Sequence, residues 1–321
     1  MSVVIPTRGR PQLLERCLES VCRQSLPAER YEIIVVDDGS AAETEAVVER
    51  CAVQVAPRKL AVRYVASPGP HGPAAARNRG WRLARGEIVA FTDDDTQPEA
   101  AWLETGLRAF RPETDAVTGR IVMPVPAPPT DYELDASGLA RSDFVTANCF
   151  CRKAILERLG GFDERFPLAW REDSDLHFRL LQVGARIEHA PHAVVVHPIR
   201  PAPWGISLRQ QKKVMFDVLL YRQHRVLYRR RIRRNPRWDY HIAAGALLAT
   251  PAALALGAPG VALATGAAWI GITGALAVKR LRHTSRRPGH VTEMIVTSAL
   301  IPPLAVFWRI AGAIRYRTWL A

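Results

Sequence analysis

Phe91-Thr92-Asp93-Asp94-Asp95-Thr96 places three adjacent carboxylates directly after the apolar run Ile88-Val89-Ala90-Phe91. Three neighbouring acids repel one another unless a positive charge lies among them. A hard divalent cation such as Mg²⁺ prefers oxygen ligands and shares its coordination sphere with phosphates, so the pattern predicts a metal site where a strand ends. A solvated acidic turn is the alternative interpretation, because acids are common where a strand gives way to a loop.

The chain around this stretch alternates short apolar strands with helical patterns. Residues 3–5 and 33–36 are β-branched runs, each followed by a loop and a helix, and further strands are predicted at residues 62–65 and 88–91. Alternation of this kind predicts an α/β fold, with a mostly parallel, Rossmann-like sheet and helices on both faces. Ligands of such sheets bind beyond the carboxyl ends of the strands.

Four polar features converge on that predicted edge of the sheet. They are Thr7 with Arg8, Asp38, Arg77 with Asn78, and the triple Asp of residues 93–95. These side chains suit a nucleotide diphosphate as ligand, because a carboxylate accepts the base N–H, while a guanidinium and a helix N-terminus bind anionic groups. The chain has no Gly-rich phosphate loop of the Walker or dinucleotide type, which argues against a kinase, an ATPase or a dehydrogenase.

Charge is distributed unevenly along the 321 residues. Residues 205–321 hold 19 Lys and Arg against 3 Asp and Glu, a net charge of +16, whereas residues 1–204 carry a net charge of −3. A nucleic-acid-binding domain would be expected to carry its basic surface on the folded part. Basic runs that flank apolar segments instead predict a membrane surface as partner and no nucleic acid.

Composition divides the chain into three predicted regions: a catalytic domain over residues 1–203, basic amphipathic interfacial helices over residues 204–239, and a membrane-associated helical region over residues 240–321. Pro201, Pro203 and Gly205 mark the linker, and eight arginines occur in residues 222–237. Because the first predicted strand begins at Val3, we expect no signal peptide before it. We therefore expect the catalytic domain to face the cytoplasm at the inner membrane.

The membrane-associated region begins with a predicted hairpin over residues 242–278. Residues 240–278 contain no Lys, Arg, Asp or Glu, although a soluble Ala-rich hairpin is the alternative. Basic residues flank both ends, so a two-span hairpin places both flanks in the cytoplasm. A third apolar segment, residues 294–308, contains Pro302-Pro303; a third crossing, a re-entrant segment and an interfacial helix are the three interpretations.

Several motifs follow the order in which a known family has them. They are Val3-Val4-Ile5-Pro6-Thr7, Val35-Val36-Asp37-Asp38-Gly39-Ser40, Ala76-Arg77-Asn78, Phe91-Thr92-Asp93-Asp94-Asp95, Gly160-Gly161-Phe162-Asp163-Glu164 and Trp170-Arg171-Glu172-Asp173-Ser174-Asp175-Leu176. On these motifs the chain resembles the family 2 glycosyltransferases with the GT-A fold, over residues 2–200.

The resemblance implies roles for individual residues at the donor site. Thr7 and Asp38 contact the nucleotide, and Arg77 lies near the donor. The acids of the family's D-x-D pattern, which serve ribose, metal and diphosphate, fall on Asp93 and Asp95. The implied donor-binding residues are Thr7, Arg8, Asp38, Arg77, Asn78, Asp93 and Asp94, and the implied ligands of Mg²⁺ or Mn²⁺ are Asp95 and His197. For His197, a hydrogen-bonded surface residue at the end of a strand is the alternative.

A second acidic cluster, Glu172-Asp173-Ser174-Asp175, precedes a helical pattern. One interpretation is helix capping, with acids at the positive end of the helix. Displacement with inversion at an anomeric carbon also needs a carboxylate that accepts the proton of the acceptor hydroxyl. The Glu-Asp motif of the family supplies that base and falls on Asp173, with Glu172 and Trp170 on the acceptor side. Residues 131–143 are expected to form a loop that helps to shape this side.

These patterns together predict an inverting, metal-dependent glycosyltransferase that moves a sugar from a nucleotide-diphosphate sugar to a lipid or lipid-linked acceptor. Gln210-Gln211-Lys212-Lys213 departs from the Gln-x-x-Arg-Trp motif of processive members, which favours a single sugar transfer. A transferase for a soluble glycan, with the tail used only for localisation, is one alternative. A non-catalytic nucleotide-sugar-binding scaffold on the membrane is another.

Overall fold

A computed structural model describes residues 1–318, which form two compact units. Unit 1 comprises residues 1–124 and 137–199, and unit 2 comprises residues 125–136 together with the chain from residue 200 onward. The chain therefore passes from unit 1 to unit 2 twice. Residues 125–136 form a short segment of unit 2, and the chain remains in unit 2 after residue 199.

The described residues form eight strands and thirteen α-helices. The strands are β1 (Ser2–Thr7), β2 (Glu32–Asp37), β3 (Ala61–Ala66), β4 (Ile88–Phe91), β5 (Gln97–Pro98), β6 (Ala116–Val122), β7 (Cys149–Arg152) and β8 (Ile187–Val196). The helices are α1 (Pro11–Cys22), α2 (Ala42–Val55), α3 (Pro73–Leu83), α4 (Trp102–Arg108), α5 (Asp131–Ala136), α6 (Lys153–Leu159), α7 (Glu172–Gln182), α8 (Ile206–Gln210), α9 (Val214–Gln223), α10 (Arg225–Arg231), α11 (Trp238–Ala255), α12 (Pro259–Leu281) and α13 (Pro288–Arg315).

The parallel half of the sheet in unit 1 separates two hydrophobic cores. β1 pairs in parallel with β2 and β4, and β2 pairs in parallel with β3. Because successive side chains of a strand point to opposite faces, Ile33 and Val35 belong to one core with residues of α1, α2 and α4. Ile34 and Val36 belong to the other core with residues of α3, α6 and α7. The predicted parallel sheet with helices on both faces is confirmed.

The second half of the sheet is mixed, and the strand order is β3-β2-β1-β4-β7-β6-β8-β5. β7 is antiparallel to both β4 and β6, and β6 is parallel to β8. The buried Asn148 joins this half together: its Nδ2 donates to the carbonyl oxygens of Arg120 and Ala193, both at 2.9 Å, and its Oδ1 accepts from Trp102 Nε1 at 2.8 Å. A Cβ atom at Gly119 would lie 2.4 Å from Ala193 O, so this approach requires glycine.

The loop expected over residues 131–143 is not a loop, and that expectation was wrong. Residues 131–136 form α5 and residues 137–141 a 3₁₀ helix. The Thr130 hydroxyl accepts from the Glu133 amide at 3.2 Å, and Glu133 Oε2 accepts from the Thr130 amide at 2.7 Å. This reciprocal pair is a capping box, and its Thr-x-x-Glu pattern was readable in the sequence.

Unit 2 is helical, and a partly buried ion pair connects residues 125–136 to the rest of the unit. Arg280, near the end of α12, contacts Asp131 of α5 at 2.8 Å and donates to the hydroxyls of Thr297 and Ser298 in α13. The Ser285 amide donates to Pro129 O at 2.7 Å. Arg280 thus connects three segments of unit 2 through one guanidinium.

The apolar segments of unit 2 form three consecutive helices. α11 and α12 pack as a hairpin, in which the hydroxyls of Thr250 and Thr265 lie 2.9 Å apart. The third apolar segment is longer than residues 294–308, because α13 continues through Pro302 and Pro303 to Arg315. By length and composition alone, α12 and α13 are the two helices of the described chain that suffice to cross a membrane. α11, the first arm of the predicted hairpin, is not one of them.

We expect Asn148→Ala to lower the free energy of unfolding by at least about 2 kcal/mol, because a buried side chain loses three hydrogen bonds and Trp102 Nε1 loses its acceptor. Thermal unfolding of the full-length protein in detergent measures this as a lower Tm. Asn235→Ala is the control, since Asn235 is exposed. Equal Tm values for both variants would contradict the role given to Asn148.

Candidate functional site

Four strands direct polar side chains to one edge of the sheet. Thr7 ends β1, and Asp38, Asp93 and His197 follow the last residues of β2, β4 and β8. β8 runs in the same direction as β1, since the antiparallel β7 separates two sets of parallel strands. The carboxyl ends of all four strands therefore lie at one edge, where α/β sheets bind ligands.

Hydrogen bonds fix the turn that carries the three aspartates. Thr96 Oγ1 and the Thr96 amide donate to Asp93 O at 2.7 and 3.2 Å, and the hydroxyls of Thr92 and Thr96 lie 2.7 Å apart. The thiol of the buried Cys17 donates to the same carbonyl oxygen at 3.3 Å. The backbone of the turn is thus held without use of any of the carboxylates.

Asp94 is the most deeply buried of the three acids and has protein partners. Thr7 Oγ1 donates to its Oδ2 at 2.7 Å, and Arg10 Nη2 lies 3.0 Å from its Oδ1. Burial raises the pKa of Asp94 to about 7, against the opposing charge of Arg10. Arg10 also lies 3.5 Å from Asp95. Arg10 was not among the site residues predicted from the sequence, although a cation in the loop directly after β1 was a readable signal.

Asp93, Asp95 and His197 could hold a metal ion. One ligand atom of each lies within 4.8 Å of those of the other two, and His197 Nε2 is 3.6 Å from Asp95 Oδ1. His197 Nδ1 lies 3.4 Å from Pro198 O, an acceptor. A proton on Nδ1 leaves the lone pair of Nε2 facing two carboxylates, an arrangement that a cation between them stabilises. These donors fit Mg²⁺ or Mn²⁺, and they add Asp93 to the predicted ligands.

Arg77 connects the two acidic clusters of the sequence. Its side chain is only 3% exposed, its Nη2 lies 2.6 Å from Asp93 Oδ1, and its Nη1 lies 3.2 Å from Glu172 Oε1. Burial opposes the ionisation of Asp93, but the charge of Arg77 and its hydrogen bond to Asp93 outweigh it and lower the pKa of that carboxyl. Burial, followed by the charge of Asp173, raises the pKa of Glu172 to about 7. One buried guanidinium is therefore shared between the end of β4 and the start of α7.

Asp173 is the second residue of α7, at the positive end of the helix. Its Oδ1 accepts from the Ser174 amide at 2.6 Å, and burial raises the pKa of its carboxyl against that hydrogen bond and the charge of Arg171. The Arg171 guanidinium lies 4.6 Å from the ring of the half-buried Trp170. The neighbouring Asp175 is fully buried and lies 2.7 Å from Arg179, an arrangement that stabilises the helix.

Asp38 and its partners form a second neighbourhood at the same edge. The Gly72 amide donates to Asp38 Oδ2 at 3.0 Å, Arg8 Nη1 donates to the same oxygen at 3.3 Å, and His71 Nδ1 lies 2.9 Å from Oδ1. Asp37 instead stabilises its own loop, by accepting from the amides of Gly39 and Ala41. His71 was not among the residues predicted from the sequence.

Asn78, predicted on the donor side, uses its side-chain amide within the protein. Its Nδ2 donates to Phe162 O at 2.9 Å and to Glu164 Oε1 at 2.7 Å, and its Oδ1 accepts from the Phe162 amide and Trp81 Nε1, both at 2.8 Å. These four bonds match the two donors and two lone pairs of the amide. Asn78 therefore holds the turn at residues 160–164, where Gly161 has a φ of +76° and a Cβ atom would lie 2.2 Å from Asn78 Oδ1.

The chain matches two related protein families. Residues 2–159 match Glycosyl transferase family 2, and residues 88–308 match Glycosyl transferase family group 2. The second match extends over more than half of the chain, and the two overlap at the triple Asp.

Curated relatives are also glycosyltransferases. The "Pre-mycofactocin glycosyltransferase" of Mycobacterium tuberculosis is 34% identical over 219 residues, which are 62% of this chain and 43% of the relative. The "Glycosyltransferase AglE" of Haloferax volcanii is 27% identical over 226 residues, which are 67% of this chain and 71% of the relative. The chain thus spans less than half the length of the first relative.

Two solved structures resemble the fold. Mannosyltransferase PcManGT from Pyrobaculum calidifontis, solved with GDP-Man and Mn²⁺, has a TM-score of 0.57 at 22% identity, over 98% of this chain and 86% of that one. S. aureus TarS 1-349, solved with UDP-GlcNAc, has a TM-score of 0.52 at 16% identity, over 100% of this chain and 93% of that one. These likenesses confirm the predicted GT-A fold. Together with the family matches, they establish that the chain belongs to the family 2 glycosyltransferases.

Proposed function

We propose that this protein is an inverting, metal-dependent glycosyltransferase. It transfers a sugar from a nucleotide-diphosphate sugar to a lipid or lipid-linked acceptor at the cytoplasmic face of the inner membrane. The observation that carries the proposal is the contact of one buried guanidinium, that of Arg77, with Asp93 of the metal-binding cluster at 2.6 Å and with Glu172, next to Asp173, at 3.2 Å. The donor sugars in the PcManGT and TarS structures support a nucleotide-sugar donor.

The nucleotide binds on the side of Thr7, Arg8 and Asp38. Asp38 is buried and held by the Gly72 amide at 3.0 Å, so its carboxylate is oriented before the base arrives. The Arg8 side chain is 65% exposed and provides an accessible positive charge for the anionic donor. Asn78 acts on this site by holding the turn at residues 160–164 rather than by touching the donor.

Asp95 and His197, with Asp93 beside them, would hold the divalent cation, Mg²⁺ or Mn²⁺. Its positive charge would stabilise the diphosphate of the donor as the leaving group. Arg10 and Arg77 compensate the remaining carboxylate charge of the turn, at 3.0 Å from Asp94 and 2.6 Å from Asp93.

Asp173 is the general base of the proposed reaction. Its carboxylate accepts the proton of the acceptor hydroxyl while the hydroxyl oxygen bonds to the anomeric carbon and the bond to the nucleoside diphosphate breaks. The burial that raises the pKa of Asp173 makes it a stronger base than an exposed aspartate. Glu172, bound to Arg77, orients the start of α7, and Trp170 offers an apolar face to the acceptor.

Membrane association is supported by the apolar side chains that unit 2 exposes. Around the turn between α11 and α12, Leu254, Leu256 and Leu263 are 61%, 84% and 76% exposed. Leucines exposed in this number and proximity are typical of a surface that contacts lipid or another protein. These leucines belong to residues 240–278, which contain no Lys, Arg, Asp or Glu. A stretch of 39 residues without these charges favours lipid as the contact. The lipid acceptor is proposed on this ground alone.

We expect Asp95→Ala to abolish transfer and to remove the effect of Mg²⁺ or Mn²⁺ on nucleotide affinity, because a metal ligand of the cluster is lost. Calorimetric titration of nucleoside diphosphate with and without Mn²⁺ measures the affinity. Glu43→Ala, which removes an exposed carboxylate from α2, is the control. Metal-dependent binding that persists in Asp95→Ala would contradict the assignment.

Asp173→Asn should keep donor affinity and reduce turnover by at least about 10²-fold, the lower range for loss of a general base. Steady-state kinetics and donor titration separate the two effects. Asp175→Asn, a change of the same kind two residues along α7, should instead lower the Tm, because Asp175 is buried against Arg179. Loss of donor affinity in Asp173→Asn would move this residue to the donor site.

A membrane hairpin predicts the sidedness of labelling. Leu256→Cys at the turn and His283→Cys after α12 are both exposed positions. In a Cys51→Ala background, where the four remaining native cysteines are buried, an impermeant thiol reagent should label Leu256→Cys in intact cells and His283→Cys only after the membrane is opened. Protection of both sites in intact cells would show that the hairpin does not cross.

A further inference from the structure

A pocket in unit 2 is surrounded by four arginines from two separate parts of the chain. It is an open concavity, and it is lined by Tyr221, Tyr228, Arg229, Arg233, Arg234, Asn235, Pro236 and Arg309. The first seven belong to α9, α10 and the turn after α10, whereas Arg309 belongs to α13. None of the lining residues is acidic. The fold of unit 2 therefore concentrates guanidinium groups around one concave surface.

The positive charge of this pocket has no carboxylate partner in the described chain. Arg233, Arg234 and Arg309 have no acidic side chain within ion-pair distance among residues 1–318, whereas Arg237, just beyond the pocket, lies 2.6 Å from Asp239. Residues 222–237 contain eight arginines and no acid. Like charges held this close destabilise one another unless an anion lies among them.

Tyr221 orients part of this cluster. Its hydroxyl oxygen accepts from Arg225 Nε at 2.8 Å and from Arg229 Nη2 at 3.1 Å, and both guanidinium groups lie over its ring, at 5.6 and 5.7 Å from the centroid. The Tyr221 ring is buried and packs edge-on against Tyr228. Arg229 is thus held in place before any ligand binds, which reduces the entropy lost on binding. The Tyr221 hydroxyl also retains its own proton as a donor.

A phosphate group suits this arrangement better than a carboxylate. A guanidinium donates two parallel N–H bonds to a pair of phosphate oxygens, and a terminal phosphate offers three strongly accepting oxygens to several arginines at once. Four arginines around one concavity match that number of acceptors. The planar group of arginine, rather than the point charge of lysine, is the side chain expected at such a site.

The packing of α13, which carries Arg309, indicates the depth of the pocket at a membrane. α13 runs alongside α8 and α9 in the same direction. Near its start Glu293 accepts from the Gly205 amide at 2.8 Å, further along Lys212 Nζ lies 5.8 Å from the Trp308 ring, and near its end a Cβ atom at Gly312 would lie 3.0 Å from Met215 O.

α8, α9 and the turn between them carry Arg209, Lys212, Lys213, Asp217 and Arg222. Charged side chains in this number are too costly for the hydrocarbon core of a bilayer. Because α13 lies beside these segments over most of its length, it occupies the same depth, at the membrane surface. Of the three interpretations of the third apolar segment, this packing favours an interfacial helix.

The two faces of α13 agree with this placement. The face with Met294, Ile301 and Ala305 is buried within unit 2. The face with Val296, Leu300, Phe307, Ile310 and Ile314 is exposed, at 38 to 73%, and its spacing follows one side of a helix. Successive residues of an α-helix are about 100° apart, so Arg309 lies about 100° around the helix from Ile310 and outside this exposed face. Arg309 is instead at the edge of the face that packs within unit 2.

We propose that this arginine pocket binds the phosphate headgroup of an anionic lipid at the membrane surface along which α13 lies. The proposal rests on the membrane association proposed above, and it names a lipid site separate from the donor site of unit 1. Charge complementarity and the position of α13 at the membrane surface favour lipid over free phosphate.

The test measures binding of dihexanoyl phosphatidate, a soluble short-chain lipid with a terminal phosphate, to the full-length protein in uncharged detergent by native mass spectrometry. Arg233→Gln/Arg309→Gln should weaken binding by at least about tenfold, because two charge-assisted hydrogen-bonding groups are lost. Arg230→Gln/Arg286→Gln removes the same charge from exposed positions that do not line the pocket, and should change binding by less than about twofold. Arg233→Lys/Arg309→Lys should give an intermediate loss.

Two comparisons can overturn the proposal. If both glutamine variants weaken binding equally, the basic run acts as a general cationic surface and the pocket has no specific role. If inorganic phosphate competes as well as the short-chain phosphatidate, the ligand is a free phosphate rather than a lipid. Metal-dependent hydrolysis of a nucleotide sugar by the unmodified protein is measured in parallel. Its absence would contradict the proposed function and leave the result on the phosphate pocket intact.

Discussion

The buried guanidinium of Arg77 is the interaction on which the site depends. Six carboxylates lie in the two acidic clusters, those of residues 93–95 and residues 172–175, and Asp175 is paired with Arg179. A protein interior tolerates such negative charge only when cations lie within it. Arg77, at 2.6 Å from Asp93 and 3.2 Å from Glu172, is the cation that the two clusters share, and Arg10 lies beside Asp94 and Asp95. These arginines offset part of the negative charge, and a divalent cation is proposed for the remainder.

The shared guanidinium also has a geometric consequence. Asp93 follows β4 and Glu172 begins α7, and these elements are about 80 residues apart in the sequence. Since Arg77 contacts both, any displacement of α7 changes the surroundings of the turn at residues 93–95. The start of α7 and this turn are therefore positioned by one side chain from α3, which is itself fixed by the packing of Trp81 and the hydrogen bonds of Asn78.

Unit 2 contains two groups of arginines that differ in whether the protein supplies their counter-ion. Arg280 is almost buried, and the protein supplies its counter-ion, Asp131, within the same unit. Arg233, Arg234 and Arg309 of the pocket have no acid beside them in the described chain, and the proposed lipid phosphate would supply their counter-charge. An arginine whose counter-ion belongs to the protein has a structural role. An arginine without a carboxylate partner is a candidate for binding an anionic ligand.

The sequence by itself determined the parallel half of the sheet, the position of the acidic turn and the family, because these depend on local periodicity and on motifs contiguous in the chain. It also contained the capping box at Thr130, which periodicity alone does not reveal. Only the tertiary structure decided that Arg77 bridges two acids, that Asn78 holds a turn and that α13 lies beside charged helices. Each of these depends on contacts between residues far apart in sequence, and the reversal at β7 that brings His197 to the metal-binding edge is a property of strand order, which local patterns do not encode.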